Sequence, residues 1–89
     1  MEITDIQIIK VEGKGKLLAY ANIVINEALV LKGIKIIDGE KGKFIVMPSQ
    51  TLIRKGKIKT FEYFHPINNE ARNLITDAII NTYNEQNIK

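Results

Sequence analysis

Residues 44–67 read FIVMPSQTLIRKGKIKTFEYFHPI. A short apolar run from Phe44 to Met47 meets Pro48, which has no N–H and so ends strand pairing or confines it to an edge. From Ser49 to Lys57 the chain projects, with Lys55-Gly56-Lys57 as the tip, and residues 58–64 return as a strand. His65-Pro66 stops that strand, because the residue before a proline is held extended. Between Lys41 and Phe61 stand six basic residues, Lys41, Lys43, Arg54, Lys55, Lys57 and Lys59, and no acid. This window carries +6 in a chain whose net charge is +3, so the remainder sums to −3. Local positive charge on a hairpin is what a phosphate backbone would meet.

On the C-terminal side, Ala71, Leu74, Ile75, Ala78, Ile79, Thr82 and Tyr83 recur at helical spacing and form one apolar stripe. Asn68 or Asn69 suits the N-cap and Glu70 the positive end of the helix dipole. On the N-terminal side three strands are expected. Residues 2–11 alternate with a bulge near Ile8–Ile9. In residues 17–26, Leu17, Ala19, Ala21, Ile23 and Ile25 make one wholly apolar face, so this strand packs on a core. Residues 28–37 form the third, interrupted by Gly33, which marks a bulge or a close backbone approach. The connections are Glu12 to Lys16, Asn26-Glu27 and Asp38 to Gly42, the last carrying the Asp-Gly hairpin signal. The expected fold is α+β, an antiparallel sheet of about five strands with a C-terminal amphipathic helix packed on one face.

At 89 residues the chain is expected to be a single domain, since two cores would each be too small. Such a chain buries only roughly 60–65% of its unfolded surface, so a dimer would add stability. Ile, Lys and Asn supply 36 of the 89 residues, the bias of an AT-rich genome, which discounts the overall charge but not its clustering. The start, MEITDIQIIKV, carries acids where a signal peptide carries cations, and no apolar run reaches membrane-spanning length, so a cytoplasmic location without membrane association is expected.

Cysteine is absent and His65 is the sole histidine. Disulfides, thiolate metal sites, His-pair metal sites and Cys–His nucleophiles are therefore excluded. Ser49 is the only serine and lacks a Gly-x-Ser-x-Gly setting. Gly13-Lys14-Gly15-Lys16 lacks Walker spacing and opens no helix, so it reads as a hairpin loop. No enzyme, cofactor, metal or small-molecule substrate is expected. His65 is expected to be packed, with a ring nitrogen bonded to backbone at the helix entrance. Phe61, Tyr63 and Phe64 could stack bases, but one face of their strand is expected to fill the core.

The residues alone support two readings of the basic hairpin equally. In one it binds nucleic acid. In the other it is a solvated turn whose lysines keep an edge strand from pairing wrongly. A separate alternative for the chain as a whole is a protein-interaction module acting through its sheet edge or apolar face, with the lysines serving solubility.

Met1-Glu2-Ile3-Thr4-Asp5, Ile36-Ile37-Asp38-Gly39, Gly42 to Ser49 (GKFIVMPS) and His65-Pro66-Ile67-Asn68 resemble the SpoVG family, the stage V sporulation (septation) proteins of bacteria. The likeness runs through nearly the whole chain in order. It implies a small homodimeric regulator that binds DNA and RNA, acts on gene expression and influences septation or sporulation. The family typically carries Lys-Arg after Met-Pro-Ser, where this chain has Gln50 and Thr51. The charge reappears at Arg54, Lys55, Lys57 and Lys59, and Arg72 matches a basic family position. The nucleic-acid-binding residues expected are therefore Arg54, Lys55, Lys57, Lys59, Lys41, Lys43 and Arg72. Dimerisation is expected through an edge strand or the apolar faces around Leu29 and Leu31.

Overall fold

The computed structural model describes residues 1–12 and 15–86. Among them six strands precede one helix: β1 (Ile3–Lys10), β2 (Leu17–Ile25), β3 (Leu29–Gly39), β4 (Gly42–Val46), β5 (Ser49–Arg54), β6 (Lys57–Glu62) and α1 (Asn69–Gln86). The first four form one antiparallel sheet in the order β1-β2-β3-β4, while β5 and β6 form a separate two-stranded ribbon. The architecture is α+β, as the sequence predicts. The additional strand arises because the projecting segment Ser49–Arg54 is itself extended and pairs with β6 along its length.

β2 is the centre of the body. Its apolar face places Ala19, Ala21 and Ile23 fully out of water, beside Ile34 and Ile36 of β3. Ile75, Ile79 and Tyr83 of α1 complete this cluster, and Met47 joins it just before the chain leaves for the ribbon. Each buried isoleucine contributes about 1.5–3 kcal/mol relative to exposure. Leu74, also on the predicted stripe, is 44% exposed at its edge.

The Gly33 expectation is met. Pairing steps from Ala21↔Ile34 to Ile23↔Leu31, so β3 uses three residues where β2 uses two. Gly33 has φ +87° there, and its N–H donates to the Asn22 Oδ1 at 3.1 Å. The β1 bulge lies elsewhere than predicted. Ile8 and Ile9 pair in register with Ala21 and Tyr20, and the shift falls between Ile3 and Asp5. The two isoleucines alternate normally, Ile8 against the core and Ile9 half exposed on the opposite face.

The connections follow local chemistry. Asn26 and Glu27 both have positive φ, and Asn26 ties the turn to Glu2 through its own N–H and its Oδ1. Asp38 and Gly39 remain in β3, paired with Lys43 and Gly42, so the turn itself is Glu40-Lys41. The loop expected at residues 12–16 is closed by the Val11 N–H on the Leu18 carbonyl at 3.0 Å; its Gly13 and Lys14 lie outside the described residues. Asn68 caps α1, accepting the Ala71 N–H on Oδ1 at 2.7 Å. At the other end the Lys10 Nζ donates to the Gln86 carbonyl at 3.5 Å, a cation at the negative end of the dipole.

Among the described residues no helix is long and apolar enough to cross a membrane. The radius of gyration is 14.2 Å. A compact domain of this length would have about 12 Å. The ribbon, standing off the body, accounts for an elongated shape with extents of 49 × 33 × 21 Å.

Candidate nucleic-acid interface

The ribbon begins and ends at one point. The Tyr63 N–H donates to the Pro48 carbonyl at 2.9 Å, closing its root between buried Met47 and half-buried Phe64. Its tip is a two-residue turn, Lys55-Gly56, with φ of +50° and +77°. Positive φ at both central residues is the type I′ geometry that matches strand twist, and glycine supplies the second position without strain.

Every residue of β5 and β6 is exposed. Residues directly opposite in an antiparallel pair share a face. Gln50↔Phe61, Leu52↔Lys59 and Arg54↔Lys57 therefore form one face, and Ser49↔Glu62, Thr51↔Thr60 and Ile53↔Ile58 the other. The first face bears a shallow recess lined by Leu52, Arg54, Lys55, Lys57, Lys59 and Phe61. Among the described residues no carboxylate lies within 4.0 Å of these four cations. On the second face the Thr51 and Thr60 hydroxyls lie 3.0 Å apart, with Ile53 and Ile58 75% and 72% exposed. The ribbon is thus two-sided, one surface cationic and the other neutral apart from Glu62.

The predicted basic set divides. Arg54, Lys55, Lys57 and Lys59 share the ribbon recess. Lys41 and Lys43 sit at the far end of β4 from the ribbon root, in another recess with Lys16, Glu40 and Phe44. Lys43 there stands opposite Asp38 in the β3–β4 ladder. The window that is free of acids along the chain is therefore not free of them in space. Arg72 is exposed on the first turn of α1, beyond the six-residue connector 63–68, and does not line the ribbon recess.

Two further expectations are corrected. No face of the returning strand fills the core: Phe61 and Tyr63 are 40% and 62% exposed, and only Phe64, past the root, packs on the buried cluster. Among the described residues the strand pairs with β5 alone, and every residue of it is exposed, so neither face fills the core. Phe61 and Tyr63 meet edge to face, with ring centroids 6.4 Å apart, and the Tyr63 hydroxyl donates to the Gln50 Oε1 at 3.2 Å. Gln50, standing where the family resemblance implies a lysine, holds an aromatic ring in place. His65 is exposed rather than packed, with its Nδ1 3.9 Å from the Glu62 carboxylate. Pro66 turns the chain toward the helix and leaves the imidazole on the surface.

A four-stranded sheet backed by one helix, with a detached cationic ribbon between its last strand and that helix, defines a small α+β protein of the kind the opening motifs indicated. A sequence model of the SpoVG family matches residues 1–85. A relative from Archaeoglobus fulgidus is 40% identical over 85 residues, covering 96% of each chain. One from Agathobacter rectalis is 44% identical over 86 residues, covering 93% of this chain and 92% of its own. One from Borrelia hermsii is 40% identical over 91 residues, covering 98% and 91%. All three are assigned provisionally as septation proteins. The chain belongs to the SpoVG family.

Proposed function

We propose that this protein is a dimeric nucleic-acid-binding regulator that holds DNA and RNA by their phosphates through the β5–β6 ribbon, and so acts on gene expression and on septation or sporulation. The observation that carries this reading is the ribbon's cationic face. Arg54, Lys55, Lys57 and Lys59 line one recess, with no carboxylate within 4.0 Å among the described residues, on an element whose own residues are all exposed. Such contacts position a nucleic acid while giving little base discrimination. Lys41, Lys43 and Arg72 are secondary contacts, reached only by a ligand that extends past the ribbon onto the body.

A second copy fits the apolar recess at the β2–β3 end of the body, where Leu29, Leu31, Phe64 and Ile67 meet. Ile67 is 87% exposed there and Leu29 59%. Two protomers would present two ribbons, and their contacts with phosphate would combine. A monomer by light scattering at micromolar concentration would remove the dimer from this proposal.

The test of the ribbon is fluorescence anisotropy with labelled oligonucleotides over a salt series, comparing the wild type with Arg54, Lys55, Lys57 and Lys59 all changed to Ala. The expected result is lost affinity and a log K against log salt slope flattened by about 0.9 per lost duplex contact, hence up to about 3.6 for one protomer. Equal binding by both proteins would defeat the reading.

The exposed Ile53 and Ile58 favour one alternative, a protein-interaction module that uses the neutral face of the ribbon. In that case Ile53→Asp with Ile58→Asp abolishes function in cells while the four-alanine variant retains it.

A further inference from the structure

We infer that the cationic face of the ribbon is built for unpaired polynucleotide, with Phe61 and Tyr63 as a base-stacking platform; the inference rests on the ribbon being the nucleic-acid-binding element. Phosphate attraction alone would need only the four cations. The same face also carries two aromatic rings, both more exposed than their apolar area favours and neither packed on the body. Phe61 lines the same recess as Arg54, Lys57 and Lys59. Same-face side chains along a strand recur about every 6.8 Å, so Lys57, Lys59, Phe61 and Tyr63 form a row that passes from cations at the tip to rings at the root.

The rings are held, not loose. Tyr63 is fixed at its hydroxyl by the Gln50 Oε1 at 3.2 Å, and the edge of one ring meets the face of the other at an interplanar angle of 85°. Two rings at a right angle cannot both lie against one flat base. They offer separate surfaces to successive bases whose backbone can turn between them. A duplex keeps its base faces stacked inside, so only its phosphates reach this surface; a single strand presents both phosphates and base faces. Charge complementarity draws either form to the ribbon, and the rings discriminate between them.

The experiment measures affinity of the intact protein for an oligothymidylate, an oligouridylate and a mixed-sequence duplex of the same length at one salt concentration. The proteins compared are the wild type, Phe61→Leu with Tyr63→Leu, Tyr63→Phe, and the four-alanine variant. Thermal melts and light scattering accompany each. The expected result is a wild-type preference for single strands that falls about tenfold or more in the double leucine variant and by less in Tyr63→Phe, which keeps the ring but loses the hydroxyl's bond to Gln50. The oligothymidylate and oligouridylate arms separate DNA from RNA as the source of the strand. An unchanged single-strand-to-duplex ratio, with both affinities lost in the four-alanine variant, overturns the stacking platform and leaves the ribbon as a phosphate binder. Failure of the wild type to bind any of the three overturns both. If the leucine variant changes the oligomeric state and not the ratio, the rings belong to a contact between copies and the platform is refuted.

Discussion

In β2 three of nine residues are wholly buried, whereas in β6 all six are exposed, although each strand sits in an antiparallel ladder. β2 is held by what lies against it. β6 is held by its ladder to β5, by the Lys55-Gly56 turn and by one hydrogen bond at the root. A two-stranded hairpin alone is marginal in water. The body therefore carries the stability of the molecule, and the ribbon is free to spend its side chains on contact with something else.

The widest expected gap comes from truncating an isoleucine in each region. Ile79→Ala should lower unfolding free energy by about 2–5 kcal/mol in urea titration, because it opens a cavity in the buried cluster. Ile53→Ala should change it by less than about 0.5 kcal/mol. Similar losses at both sites would break the division between body and ribbon.

Backbone strain sharpens it at smaller scale. Gly33→Ala forces a side chain to φ +87° within the body sheet and should cost about 1–2 kcal/mol by the same titration. Asn68→Ala removes the cap on α1 and should cost about 1 kcal/mol, visible as a lower thermal midpoint. The smallest global effect is expected from Gly56→Ala. It places comparable strain at φ +77°, but in the ribbon, so the global midpoint should hardly move while amide exchange in β5 and β6 quickens. A large shift in the midpoint would mean the ribbon folds as part of the core.

The contrast also explains what the sequence disclosed. Alternation in a strand is a record of burial on one side. It was plain in LLAYANIVIN, where Ala19, Ala21 and Ile23 meet the core, and in the α1 stripe, where Ile75, Ile79 and Tyr83 do. Gly33 and Lys55-Gly56 were legible for a different reason, since their conformations need particular residues. The ribbon has no buried side, so Ser49–Arg54 left no strand pattern, while Phe61 and Tyr63 looked like core because aromatic residues usually are. Charge along the chain grouped Arg54, Lys55, Lys57 and Lys59 on one hairpin, and the ladder register then put Arg54, Lys57 and Lys59 on one face. Charge alone could not separate Lys41 and Lys43 from them, because that separation depends on where β4 ends and on Asp38 lying across the ladder.

The closure between Pro48 and Tyr63 gives the molecule a socket. Chain leaves and re-enters the body at neighbouring points, so what hangs between them can change in length or chemistry without altering how the body closes. Doubling the length of such an insertion adds only about 0.6 kcal/mol to the cost of joining its ends. The body is in this sense a mount, and a ribbon with other side chains could be fitted to it as a tool with a different grip.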